Sequence, residues 1–321
     1  MVVALDIDTE GSNMTTFAHT HHARTPDPAT RSTRILTMPT ASRPRAFVAR
    51  LWATDRLLTG SGLFLLALLV PMAFGVLLDP REIGGAPAWL KPAKFALSLG
   101  IYSLTLAWVF TYLPDWPRTR RFVGRMTAAV MLIEAAIIAL QAARGTTSHF
   151  NVGTPVDAIL FSIMGLAIFT QTAASVAVAV ALWRQRFADR AFGWALRLGM
   201  TMTIVGALTG GLMTRPTEAQ LAEANASGRI VIAGAHTVGA PDGGPGLPVT
   251  GWSTQHGDLR VAHFVGLHAL QVLPILTVVA FRGRGERARL RLTLAAGTLY
   301  VLVFAALLVQ ALRGVPLVAV G

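Results

Sequence analysis

Side chains able to do chemistry are sparse in this chain and collect in three strings. The first is Lys91-Pro92-Ala93-Lys94, which holds both lysines of the protein. The second runs Arg144-Gly145-Thr146-Thr147-Ser148-His149-Phe150-Asn151 and is followed by Asp157. The third runs from Gly251 through His256, Asp258, Arg260 and His263 to His268 and Gln271. Imidazole and carboxylate are the ligands that zinc and related divalent ions prefer, so His149, Asp258 and His263 form the candidate metal set. A b-type haem is the other cofactor this chemistry admits, held by His263 or His268 against His149 or a methionine. His263 and His268 stand about 140° apart on an ideal helix, which keeps those two from gripping one ion.

Glu134 and His268 each fall about 13 Å inside the same end of their helices, counting 1.5 Å per residue. An acid and an imidazole at matching depth make a candidate proton-handling pair. Lys91, Lys94, Arg144, Asn151, Asp157, Arg260 and Gln271 supply the charges and hydrogen bonds that would hold a polar substrate. Gln141 lies nearly on the face of Glu134 and points toward the Arg144–His149 string. Gln171 adds a polar group deeper in its own helix. The absence of cysteine excludes disulfides and thiolate chemistry.

The elements that must position these groups follow from composition. Apolar residues make up 53% of the 321 and charged residues only 14%, against roughly 25% charged in an ordinary globular chain. The apolar residues form long runs at Leu57–Leu78, Phe95–Leu113, Phe122–Ala143, Ala158–Trp183, Phe192–Met213, Leu259–Phe281 and Leu292–Leu312. Each is long enough to cross a bilayer, and backbone satisfaction inside lipid demands helices. The expected fold is an all-α polytopic transmembrane bundle of seven spans. Pro71 and Pro274 lie within spans and predict bends; Gly199, Gly206 and Gly210 predict close helix approach.

Orientation follows from the basic residues. With the amino terminus inside, 20 of the 28 Lys and Arg residues lie on the cytoplasmic side, the asymmetry expected of an inserted chain. The carboxyl terminus is then outside, and all three chemical strings share the outer face. The net charge of +12 is explained by this topology and by anionic lipid, with no nucleic acid as partner. The expected location is the cell's inner (cytoplasmic) membrane, multi-pass.

Residues 1–50 lack an apolar run and read as a disordered cytoplasmic tail, with a loose His19, His21, His22 triple and alternative starts at Met14 or Met38. Residues 51–321 form the membrane domain. Within it the segment 215–258 is a long outer loop, with helical character at Thr217–Ala226, strand character at Arg229–Ala233 and turns from Gly239 to Gly251; a loop of that length reads as a lid. Nucleotide-binding loops and hydrolase elbows are absent.

The three strings, from Lys91-Pro92-Ala93-Lys94-Phe95 to Gly257-Asp258-Leu259-Arg260-Val261-Ala262-His263-Phe264, resemble those of uncharacterised bacterial multi-pass membrane proteins. That resemblance implies a helical membrane domain and no activity. Seven spans with an inward amino terminus are also similar to the alkaline ceramidase and progestin/adipoQ receptor group, which implies a metal-dependent hydrolase with a late His-x-x-x-His; here His263 and His268 are one residue too far apart. The first expected function is a metal- or haem-binding membrane enzyme or redox protein acting on a lipid, quinone or small substrate, with Glu134 and His268 as its proton-handling groups. The second is a proton-coupled transporter, and the third an assembly partner without chemistry.

Overall fold

The computed structural model describes residues 44–319. The His19, His21, His22 triple and the starts at Met14 and Met38 lie outside the described residues. The end of the expected tail is helical, because α1 (Pro44–Thr54) already begins at Pro44.

Among the described residues, seven helical segments are long and apolar enough to cross a membrane. The first is divided into α2 (Arg56–Ala67) and α3 (Leu69–Leu78). The division falls at Leu68, one turn before Pro71. Proline has no N–H for the Ala67 carbonyl and its ring crowds that position, so the ladder breaks on the amino-terminal side of the proline. A short hairpin of β1 (Glu82–Ile83) and β2 (Ala86–Pro87), not foreseen from the sequence, leads into α4 (Leu90–Phe110). Helix α4 starts five residues before the expected run, which places both lysines in its first two turns.

Helices α5 (Pro117–Ala143), α6 (Pro155–Arg184) and α7 (Arg190–Met213) follow. Prolines at the first positions of α5 and α6 suit sites where no intrahelical N–H is needed. Within the loop, α8 (Glu218–Ser227) is closed by a Thr217–Gln220 capping box. The stretch Arg229–Ala233 forms no strand; Ile232 bridges Asn151 singly, and the pairing strands are β3 (Thr237–Val238) and β4 (Gly257–Asp258). Helix α9 (Leu259–Val279) runs through Pro274 without a break, and α10 (Glu286–Leu312) completes the bundle.

The long helices fall into two groups of three. The α2/α3, α4 and α5 helices pack mutually, as do α7, α9 and α10, and α6 joins the groups through α5 and α7. In each group the first two spans make the most extensive contact. For α7 and α9 the cause is glycine: a Cβ on Gly206 would stand 2.5 Å from a backbone carbon of Gly266, so the helices approach backbone to backbone. Gly199 likewise lies against the Leu270 backbone, in line with the expected role of these residues. Large apolar side chains including Phe64, Phe74, Leu166, Phe169, Leu208, Ile275 and Leu302 are exposed. Their number far exceeds the isolated apolar patches of a water-soluble surface.

Candidate functional site

The three chemical strings meet at one end of the bundle, where the helix starts are set by their own caps. Asp258 caps α9 through the Arg260 amide, and Thr154 caps α6 through the Asp157 amide. Two of the expected substrate groups are engaged with each other: Arg144 Nη1 lies 2.7 Å from Asp157 Oδ1, which also accepts a 2.9 Å bond from Gln141 Nε2. Arg144 in turn donates to Gln141 Oε1, and Thr154 donates to Asp157 Oδ2 at 2.6 Å. This closed network holds the end of α5 to the start of α6. Asn151 is similarly occupied, donating to Thr146 Oγ1 at 2.9 Å and accepting from the Gly153 amide at 3.0 Å.

The expected metal set is not assembled. Among the described residues no three His, Asp or Glu side chains converge closely enough to hold an ion. Asp258 is enclosed, bound by Arg260 Nη2 at 2.6 Å and by the Ser253 amide at 2.9 Å. His263 is fixed from the other side of the α7–α9 contact: its Nδ1 lies 2.7 Å from the Gly206 carbonyl. A carbonyl only accepts, so Nδ1 carries the proton and Nε2 keeps its lone pair. The Glu134–His268 pair also does not form. The His268 ring packs edge-on against Phe264 with centroids 4.2 Å apart, and the charge that reaches Glu134 is that of Lys91. Gln271 Nε2 donates at 3.3 Å to Thr105 of α4, away from the three strings.

Two groups stand out because nothing engages them. Glu134 is 1% exposed and its Oε1 has no partner among the described residues. Lys91 makes neither hydrogen bond nor ion pair there, although Lys94, Arg260, Asp242 and Glu134 all lie within its electrostatic reach. Lys94 is used differently, donating to the Val249 and Thr250 carbonyls at 3.1 and 3.4 Å. With the Arg260 bond to the Gly251 carbonyl, it pins the long loop over this end.

His236 and Asp242 complete the site and were missed from sequence. His236 Nδ1 donates to Asp242 Oδ2 at 2.7 Å, and the same carboxylate accepts from the His236 and Thr237 amides. The one signal available was an acid six residues after a histidine in a glycine-rich turn. Burial pushes the Asp242 carboxyl up, but these bonds outweigh it and hold it well below the usual carboxylate range. For His236, withdrawal from water outweighs the carboxylate and lowers the imidazole. Its ring meets Phe150 at 4.9 Å, and Phe150 adopts a left-handed φ of 64°. Aromatic residues rarely accept that conformation; here it directs Phe150 inward between His149 and His236.

His149 has its Nδ1 3.0 Å from the Ser148 hydroxyl and its ring against Phe95. Burial first, then the charges of Lys91, His236 and His263, pushes its imidazole well below the ordinary value. The unfolded chain therefore binds this proton more readily than the folded one, and stability falls as pH drops below about 6.5, by up to ~1.4 kcal/mol per unit for this group. Melting curves from pH 7.5 to 5 should show that loss, and His149→Phe should flatten it; an unchanged slope would refute the assignment.

No family model, curated protein or solved structure matches this chain, so the site stands on its own geometry.

Proposed function

We propose that the protein is a proton-coupled carrier of a small organic anion, inserted in the cytoplasmic membrane with its amino terminus inside. The observation that carries this reading is the unpartnered Lys91 beside the unpartnered Glu134. An ammonium set among Arg260 and Lys94 without an acceptor is unfavourable, and so is a buried carboxyl without a donor. An arriving carboxylate relieves the first, and a proton relieves the second. Both residues belong to the first group of helices, whereas Arg260 and His263 belong to the second, so a bound anion would be held between groups that can move against one another. The distribution of Lys and Arg supports the orientation.

The test is the melting temperature of the detergent-purified protein against a series of straight-chain mono- and dicarboxylates of two to six carbons. Stabilisation that saturates, and strengthens as pH falls from 8 to 6, supports linked binding of anion and proton. No stabilisation by any member sinks the reading.

A second reading, a membrane enzyme or redox protein with a metal or b-type haem acting on a lipid or quinone, is favoured by His236 and His263, each with Nδ1 engaged and Nε2 uncommitted. A visible spectrum with elemental analysis of the purified protein decides it. A Soret band or near-stoichiometric metal would displace the carrier.

A further inference from the structure

Seven buried side-chain atoms lack a hydrogen-bond partner among the described residues: Thr59 Oγ1, Arg120 Nε, Thr127 Oγ1, Glu134 Oε1, Gln171 Oε1, Gln271 Oε1 and Arg289 Nε. Four of them, Thr59, Arg120, Thr127 and Glu134, lie on α2 and α5. Arg120, Thr127 and Glu134 recur at intervals of seven along α5, which places them on one stripe of that helix. Thr59 stands on α2, a helix that packs on α5. At the level of Gly124, on the same stripe, the Asp55 carboxylate rests on α5 so closely that a Cβ there would meet Oδ2 at 2.1 Å.

The two threonines are unusual for this bundle. Other buried hydroxyls in its helices are partnered: Ser61, Ser103, Ser175, Thr209 and Thr277 return to a carbonyl of their own helix, Thr203 donates to the Leu267 carbonyl of α9, and Thr293 pairs with the Thr277 hydroxyl. Thr59 and Thr127 are both 0% exposed and have no such partner. Water between Thr59 and Thr127 would give both hydroxyls a partner, and hydroxyls one turn above a carboxylate would then make a short hydrogen-bonded thread. Between Thr127 and Glu134, about 10 Å higher along the helix, the stripe is closed by Met131. Met131 packs with Leu65 in a small apolar cluster. The α2–α3 break at Leu68 lies one turn beyond Leu65, so the joint that can move this plug is already present.

We propose that this stripe is the proton route of the carrier, from the arginine-rich end to the anion site. Asp55 takes up the proton, water held by Thr59 and Thr127 conducts it, and the Glu134 carboxylate receives it when the Leu65–Met131 plug opens. Each transfer exchanges one O–H bond for another, and Glu134 ends as the neutral acid. The inference rests on the carrier reading, but its proton-flux measurement needs no anion.

The experiment is inward proton flux into proteoliposomes with trapped pyranine, driven by a potassium–valinomycin potential. Wild-type protein should conduct slowly, because the plug is closed. Met131→Ser should raise the flux at least tenfold, and adding Thr59→Val with Thr127→Val should return it to the wild-type level. Leu65→Ser is the second opening variant should Met131→Ser not stay monodisperse. No rise with either opening variant, or a rise that survives loss of both threonines, overturns the pathway. Carboxylate stabilisation that persists in the Thr59→Val, Thr127→Val protein alongside such a result would leave the anion site standing and remove only the route.

Discussion

Lys91→Ala is expected to weaken carboxylate binding by about 30-fold or more while leaving the anion-free protein as stable as before, or more so. Removing one member of a buried, hydrogen-bonded charge pair costs about 2–5 kcal/mol of binding, and the lower figure is already ~30-fold. The anion-free protein behaves oppositely because Lys91 makes no bond or ion pair to lose. The repulsion from Arg260 and Lys94 outweighs the attraction of the more remote Asp242 and Glu134, so removing Lys91 relieves repulsion. A structural lysine would show the reverse pattern, with a lower melting temperature and unchanged anion response. The measurement is the half-saturating carboxylate concentration in thermal melts of wild type, Lys91→Ala and Lys91→Arg. Arginine should restore part of the affinity, since it returns the charge with a different reach. A fall in anion-free stability with unaltered half-saturation would remove Lys91 from the site.

The second large effect is expected at the α7–α9 contact. Gly206→Val should destabilise the bundle by about 3 kcal/mol or more, the upper end for overpacking a tight core. A Cβ at 206 would meet three backbone atoms of Gly266 and Leu267 within 2.7 Å, and backbone cannot swing aside as a side-chain tip does. Parting the helices would also draw the Gly206 carbonyl from His263 Nδ1, now 2.7 Å away. The imidazole that the contact orients would thus be freed. Gly211→Val on the same helix is the control, because nothing lies within 4 Å of a Cβ there. The yield of monodisperse protein and its melting temperature should drop for the first and hold for the second. Equal behaviour would mean that the two helices pack differently from this description.

The bounds of the long helices could be read from the chain itself, and the rotation of each about its axis could not. The long helices of the described residues begin and end within a few residues of the apolar runs. Glycines at 199 and 206 announced a close approach because missing side chains have one principal use in a packed bundle. Partner choice was another matter. The sequence paired Glu134 with His268 by their expected depth, yet the charge that reaches Glu134 is that of Lys91 and His268 lies on Phe264. Helices that are apolar nearly all round give no stripe from which to infer which side faces a neighbour. Only packing sets their rotation, and with it the pairing of Arg144 with Asp157 and of Asp258 with Arg260. The His236–Asp242 pair needed a turn conformation that residue types in a glycine-rich loop leave open. What the amino-acid sequence determined by itself was the number and bounds of the long helices and the charges at their ends, because length and hydropathy act locally. Which charges are left without a partner was decided by the tertiary structure, because it depends on contacts between residues distant in the chain.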